Sequence, residues 1–311
     1  MDQSLACYTP ADLQSAPAPD LSAYRWRLLA QGDSWFSSSA ASLNAHANLL
    51  REMVFQQPIC AVNCAGTSDQ LGHIVDLAAA HDFRELLIGK NALVWDGLLL
   101  SVGGNDLFLA AQTPVTLPDG QVVPLHLRLL RHPTEWGKPS AGVGRYFSEP
   151  GWETYAEYLR VNIRHILTLR DQGPSAGKPV FMHCYAVPMP RPAGPDGSSL
   201  AWLHPALKAC AVPGADWAAV SRLMIHHLVQ LLKELEADKV NYPGLHIFES
   251  NTVPLSPATA GSVGSNGDWA NEIHLNHSGC FKLARAWSRH IEDQLDGVKP
   301  IETGKVRRKK G

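Results

Sequence analysis

Four short polar segments stand out in this sequence, three where apolar runs end and the last where the final helix begins. The first is Gly32-Asp33-Ser34, behind the run Leu28-Leu29-Ala30. The second is Asn63 to Gly66, closing Ile59-Cys60-Ala61-Val62. The third is Gly103-Gly104-Asn105-Asp106, after Leu98 to Val102, and the fourth is Asn271-Glu272-Ile273-His274. Each alone also fits an ordinary turn, since Gly, Asn, Asp and Ser are turn formers. Together they hold what acyl transfer needs. A serine hydroxyl is a weak nucleophile until an adjacent base accepts its proton, and histidine titrates in the right range. The oxyanion formed on attack needs preorganised donors. The Ser34 and Gly66 backbone N–H groups and the Asn105 side-chain amide would supply three.

These residues converge only if the elements before them lie in one sheet. Arg25 to Ala30, Ile59 to Gly66, Leu98 to Val102, Pro179 to Cys184 and Leu245 to Phe248 read as five apolar strands. Between them, helical spacing places Leu43, Ala47, Leu50 and Val54 on one side of Ser42–Val54, and Leu71, Ile74, Val75 and Ala78 on a second helix. Tyr155 to Leu169, Trp217 to Ala237 and His277 to Leu295 follow as longer helices. Alternating strands and helices predict an α/β fold with a parallel five-stranded sheet, and near-continuous apolar strands suit burial on both faces. Parallel strands bring their carboxyl ends to a common edge, where such sheets bind ligands. Two stretches rich in Pro, about 112–150 and 186–216, read as loop insertions. Residues 1–24 read as an irregular N-terminal arm, 25–296 as one doubly wound domain, and 297–311 as a basic C-terminal tail expected to be disordered.

The ordered set of four segments resembles the SGNH/GDSL hydrolase family. Gly32-Asp33-Ser34 matches its first block, Asn63 to Gly66 its second, Gly103 to Asp106 its third, and Asn271 to His274 its fifth. The resemblance implies a flavodoxin-like three-layer αβα sandwich and ester hydrolysis through an acyl-enzyme. It makes Ser34 the nucleophile and His274 the base and then the acid, with Gly66 and Asn105 completing the oxyanion hole of Ser34. The chain departs from the family at one point: the aspartate usual three residues before the histidine is Asn271. Three residues stand close enough to orient His274. Asp268 would fold back through Trp269-Ala270; Glu272 lies on the opposite face of an extended segment; and Asn271 itself can serve, as asparagine does in Cys-His-Asn enzymes. This departure leaves a catalytically weak or inactive SGNH-fold binding protein as the rival expectation. An O-acetylated carbohydrate is the alternative to a generic small-molecule ester substrate.

The totals narrow the field further. A net charge of −2 over 311 residues gives no electrostatic case for a nucleic-acid partner. No run reaches the ~18 apolar residues of a membrane span. The first residues lack the basic-then-apolar order of a signal peptide, so the protein is expected to be cytoplasmic, or exported had such a peptide been removed. The six cysteines are scattered in apolar segments and suit reduced core thiols. Glu272, His274 and His277 lack further ligands at metal spacing, so no metal and no cofactor is expected. His183 and Tyr185, following the fourth strand, are placed to reach the site rim. Trp202, Trp136 and Trp152 are placed in or beside the insertions, where they would shape a cleft. Of His226 and His227, one is expected to pack and the other to meet solvent.

Overall fold

In the computed structural model, residues 2–37, 48–66, 81–195 and 201–297 are described. The apolar runs form strands β3 (Trp26–Gly32), β5 (Ile59–Asn63), β6 (Gly97–Ser101), β7 (Val180–His183) and β8 (Leu245–Phe248), beside the short strands β1 (Gln3–Ser4), β2 (Ala6–Tyr8) and β4 (Val54–Phe55). All but β1 and β4 join one sheet in the order β2-β5-β3-β6-β7-β8, every pairing parallel. Leu28, Leu29, Leu98, Leu99, Leu100, Val180 and Phe181 are fully buried, as a sheet covered on both faces requires. Truncating one such leucine to alanine would cost about 2–5 kcal/mol.

The sheet therefore has six strands rather than the five expected. The sixth comes from the arm expected to be irregular. Ala6-Cys7-Tyr8 pairs with Cys60 to Val62, while Gln3-Ser4 pairs antiparallel with Val54-Phe55. Three residues are too short for any period to show, and their partner strand sets their conformation. The helix expected over Ser42–Val54 is corrected in the same place. Among the described residues of that stretch, α1 (Leu49–Glu52) is the helical part, capped by the Asn48 side chain, and Val54 has passed into β4. Residues 42–47 of that expected helix, the second expected helix around 71–78 and the tail from 298 on lie outside the described residues.

The remaining helices are α2 (His81–Leu87), α3 (Gly104–Gln112), α4 (Glu149–Gln172), α5 (Leu203–Ala209), α6 (Trp217–Ala237) and α7 (His277–Asp296). Helix α4 begins where the Ser148 hydroxyl accepts the Gly151 N–H, and α7 where the Asn276 side chain accepts the Gly279 N–H. Trp287 of α7 is buried against Phe36, His183 and Phe248, which seats this helix beside the ends of β3, β7 and β8. The first insertion folds into 3-10 turns, among them Leu125–Leu127, and the second contains α5. Among the described residues, no helix is long and apolar enough to cross a membrane.

Candidate active site

The register of the sheet sets the site. Gly32 lies opposite Ser101 at the carboxyl end of β6, and Ala30 opposite Asn63 at the end of β5. The Gly32 backbone runs so close to β6 that a Cβ there would stand 2.6 Å from the Ser101 carbonyl oxygen. The next residue, Asp33, turns the chain. Its N–H donates to the Ser101 carbonyl at 2.9 Å, and its own carbonyl accepts the Phe36 and Ser37 N–H groups at 3.0 Å each. Its carboxylate, 1% exposed, accepts the Trp35 N–H and the Ser101 hydroxyl. From the other side, the Asn63 and Asn48 side-chain amides both donate to the Phe36 carbonyl. Ser34 thus sits at the head of a turn tied to both neighbouring strands.

Ser34 Oγ lies 2.6 Å from His274 Nε2. On the far side of the ring, His274 Nδ1 lies 3.1 Å from Asn271 Oδ1. That Asn271 atom also faces the Ile273 N–H at 3.1 Å and the His274 N–H at 2.8 Å. Two backbone donors can only be met by an acceptor, which identifies the atom as the carbonyl oxygen of the amide. His274 Nδ1 must then carry the ring proton, leaving Nε2 with a lone pair aimed at the Ser34 hydroxyl. The tautomer needed for proton abstraction is set by the chain's own backbone. The Trp202 ring stands edge-on to the imidazole at 5.5 Å.

Both neighbouring carboxylates point elsewhere. Asp268 accepts from Lys282 Nζ and the Ser256 N–H, each at 2.6 Å, and from the Ser278 hydroxyl at 2.8 Å. Burial alone would raise its pKa, but these donors together hold it below the ordinary value. Glu272 is fully buried and accepts the N–H groups of Arg191, Trp202, Leu203 and His204, the last two opening α5. Burial pushes its carboxyl up to about 6 against the pull of these four amides. A carboxylate at a helix start meets otherwise unpaired donors and the positive end of the dipole. Buried Arg191 completes the frame, donating to the Asn271 carbonyl at 2.7 Å and to the Gly264 carbonyl at 2.6 Å. Sequence reading missed Arg191, although its setting in Pro190-Arg191-Pro192 was a signal. A cation fixed between two prolines in an apolar stretch must find acceptors outside its own segment.

The other expected donors flank the turn. Gly66 follows the end of β5, and Asn105 lies in the first turn of α3, behind Gly103 at a left-handed φ of 96°. Of the aromatic residues expected around a cleft, Trp202 meets His274, whereas Trp136 packs on Tyr146 and Trp152 on Tyr155 and Phe147. His183 and Tyr185 lie fully buried beneath the turn instead of at the rim. His227 stacks on Phe147 while His226 is exposed, and His277 pairs with Glu52. Among the described residues, no group of three His, Cys, Asp or Glu side chains is arranged to hold a metal ion.

No protein-family model and no curated protein matches this chain. Among solved structures, it is similar to a carbohydrate acetylesterase from Sinorhizobium meliloti, at 12% identity and a TM-score of 0.39, over 86% of this chain and 99% of that one. It is also similar to an aryl esterase of M. smegmatis, at 12% identity and a TM-score of 0.43, with the same coverage of 86% and 99%. An extracellular lipase from Streptomyces rimosus aligns at 15% identity and a TM-score of 0.43, over 83% of this chain and 97% of that one.

Proposed function

We propose that this chain is a serine hydrolase of the SGNH/GDSL type that cleaves carboxylic esters through an acyl-Ser34 intermediate. The observation that carries this reading is the line Ser34 Oγ–His274 Nε2, 2.6 Å, with Nδ1–H held by the Asn271 amide oxygen. In the forward step Ser34 Oγ attacks the ester carbonyl while its proton passes to Nε2. The negative charge gathers on the carbonyl oxygen, where the Ser34 and Gly66 N–H groups and the Asn105 side-chain amide would stabilise it. As the tetrahedral species collapses, the ester C–O bond breaks and the imidazolium returns the proton to the departing alcohol. Water, deprotonated by the same nitrogen, then releases the acid and restores Ser34. No cofactor takes part in this sequence.

Asn271 has a defined cost in this scheme. In serine proteases, replacing the orienting aspartate by asparagine lowers turnover by roughly 10⁴, because the wrong tautomer results. Here two backbone donors hold the amide oxygen toward Nδ1, so the tautomer survives and only the charge on the imidazolium goes uncompensated. Asn271→Asp should therefore raise kcat/KM on p-nitrophenyl acetate about tenfold, or about 1.4 kcal/mol of barrier.

The decisive test is Ser34→Ala. The variant should lose hydrolysis of short p-nitrophenyl esters by about 10³-fold or more, and a fluorophosphonate should label wild type on Ser34 but not the variant. Undiminished hydrolysis by Ser34→Ala would sink the reading. A folded wild type with no adduct would favour an inactive SGNH-fold binding protein.

A further inference from the structure

The nucleophile turn and the start of α3 meet on one side chain that belongs to neither. Tyr185 follows β7, is 1% exposed, and holds a left-handed φ of 63°, a conformation that a bulky residue keeps only when its surroundings impose it. Its hydroxyl donates to Asp33 Oδ2 at 2.5 Å. Its ring lies flush against the Gly104 backbone, where a Cβ would come within 2.5 Å of the ring carbons. The Gly104 amide also engages the phenol oxygen. One residue therefore touches the neighbour of Ser34 and the neighbour of Asn105.

A second route links Tyr185 to the same carboxylate. The Tyr185 N–H donates to His183 Nδ1 at 3.3 Å, so the ring proton resides on Nε2, 2.9 Å from Ser101 Oγ. The Ser101 hydroxyl then donates to Asp33 Oδ1 at 2.9 Å. Burial holds His183 neutral, with its pKa down at about 3, as an acceptor at Nδ1 requires. The hydrogen bonds close a ring, Tyr185–His183–Ser101–Asp33–Tyr185, with Trp35 packed edge-on to Tyr185 at 5.1 Å. Each polar partner inside is matched, and buried networks of this kind rigidify what they hold.

We infer that Tyr185 is a positioning residue for ester hydrolysis: its phenol fixes Asp33 and hence the Ser34 turn, and its ring fixes Gly104 and hence the Asn105 end of the oxyanion hole. The inference rests on the serine-hydrolase reading of Ser34. It carries a pH signature. The groups facing Asp33 are Tyr185 and, through Ser101, His183, together with Asp106 of α3; His274 stands beyond Ser34. Burial pushes the Asp33 carboxyl up to about 7, opposed by the Tyr185, Trp35 and Ser101 donors and assisted by the Asp106 charge. Removing the phenol removes a donor that favours the carboxylate, so Asp33 takes up its proton at a higher pH. The Trp35 N–H and the Ser101 hydroxyl both donate to Oδ1, and a carboxyl protonated on Oδ2 is a weaker acceptor there than the carboxylate, so the Ser34 turn loosens as Asp33 takes up its proton.

The test is Tyr185→Phe, which keeps the ring and deletes the hydroxyl. With p-nitrophenyl acetate, kcat should fall about tenfold with KM within about twofold, and the acid-side midpoint of kcat should rise by about one pH unit. The ¹³C carboxyl titration of Asp33, identified by its loss in Asp33→Asn, should move upward by the same amount. Folded Tyr185→Phe with kcat, acid limb and carboxyl titration all unchanged would overturn the inference. If that variant does not fold, Gly104→Ala applies the same test, because its Cβ must displace the ring; an unmoved acid limb there overturns it equally. Wild type alone provides a further arm. The Tyr185 hydroxyl proton should appear as a slowly exchanging downfield resonance that shifts as Asp33 titrates, and its absence counts against the network. The NMR arms need no turnover, so an inactive wild type would sink the esterase reading while still judging Tyr185 and Asp33.

Discussion

The two proline-rich insertions look alike in sequence and do different work. The first, about 112–150, is organised around Arg128, which is 1% exposed and donates to the Val123 and Leu130 carbonyls and, through both terminal nitrogens, to Glu135. All these partners belong to the insertion itself. The second, about 186–216, is organised around Arg191, whose partners outside the insertion include Gly264 and Asn271, and around the Glu272 carboxylate, so that it grips the segment that carries His274. It also brings Trp202 against the imidazole. A buried charge must be answered by partners or it unfolds its surroundings. Where the partners lie decides whether a loop stabilises itself or builds a site.

That contrast can be broken by experiment, and Glu272→Gln should show the largest effect. Its amide nitrogen would replace an oxygen that meets two backbone N–H groups, leaving these donors unanswered inside the protein. The loss should be about 2–4 kcal/mol of stability, seen as a lowered thermal midpoint, together with a fall in kcat of about tenfold or more as the 271–274 segment loosens. Arg128→Met should cost a similar 2–4 kcal/mol yet leave kcat/KM within about twofold at a temperature where the variant is folded. A matching loss of kcat would erase the distinction between the insertions. The Arg128 pair also has a pH dependence. Arg128 leads the groups that hold the Glu135 carboxyl below its ordinary value of 4.5, so the pair's contribution is in place above that pH and fades as the pH falls through the lowered value. Urea melts of wild type and Arg128→Met should converge in acid. Trp202→Ala should have the smallest effect, a fall of about fivefold in kcat/KM, since it removes packing on the imidazole without touching Asn271.

The parts legible in the sequence were those where composition changes abruptly. Apolar strands ending in Gly-Asp-Ser, Asn-Cys-Ala-Gly and Gly-Gly-Asn-Asp announce themselves, because a strand buried on both faces can tolerate polar residues only at its end. Helices α6 and α7 were legible to within a residue for the same reason, each having a long period to read. Strand β2 was not, since three residues carry no period and β5 alone dictates their pairing. The partner of His274 stayed open among Asp268, Asn271 and Glu272 because a carboxylate's allegiance depends on distant residues. Lys282 draws Asp268 away across 14 positions, and the Arg191 and Trp202 amides take Glu272 from across 81 and 70. Tyr185 was named for the wrong place. Adjacency to a strand end put it near the site, but only its left-handed backbone turns it under Asp33 and away from the rim.

Asn271 Oδ1 faces the imidazole proton and the main-chain amides of Ile273 and His274 together. The imidazole and the atom that orients it are therefore drawn from one tetrapeptide, Asn271 to His274, which Arg191 and the amides around Glu272 hold in place. The same economy makes it a weak link: displacing these four residues would part His274 from Ser34 and from Asn271 at once.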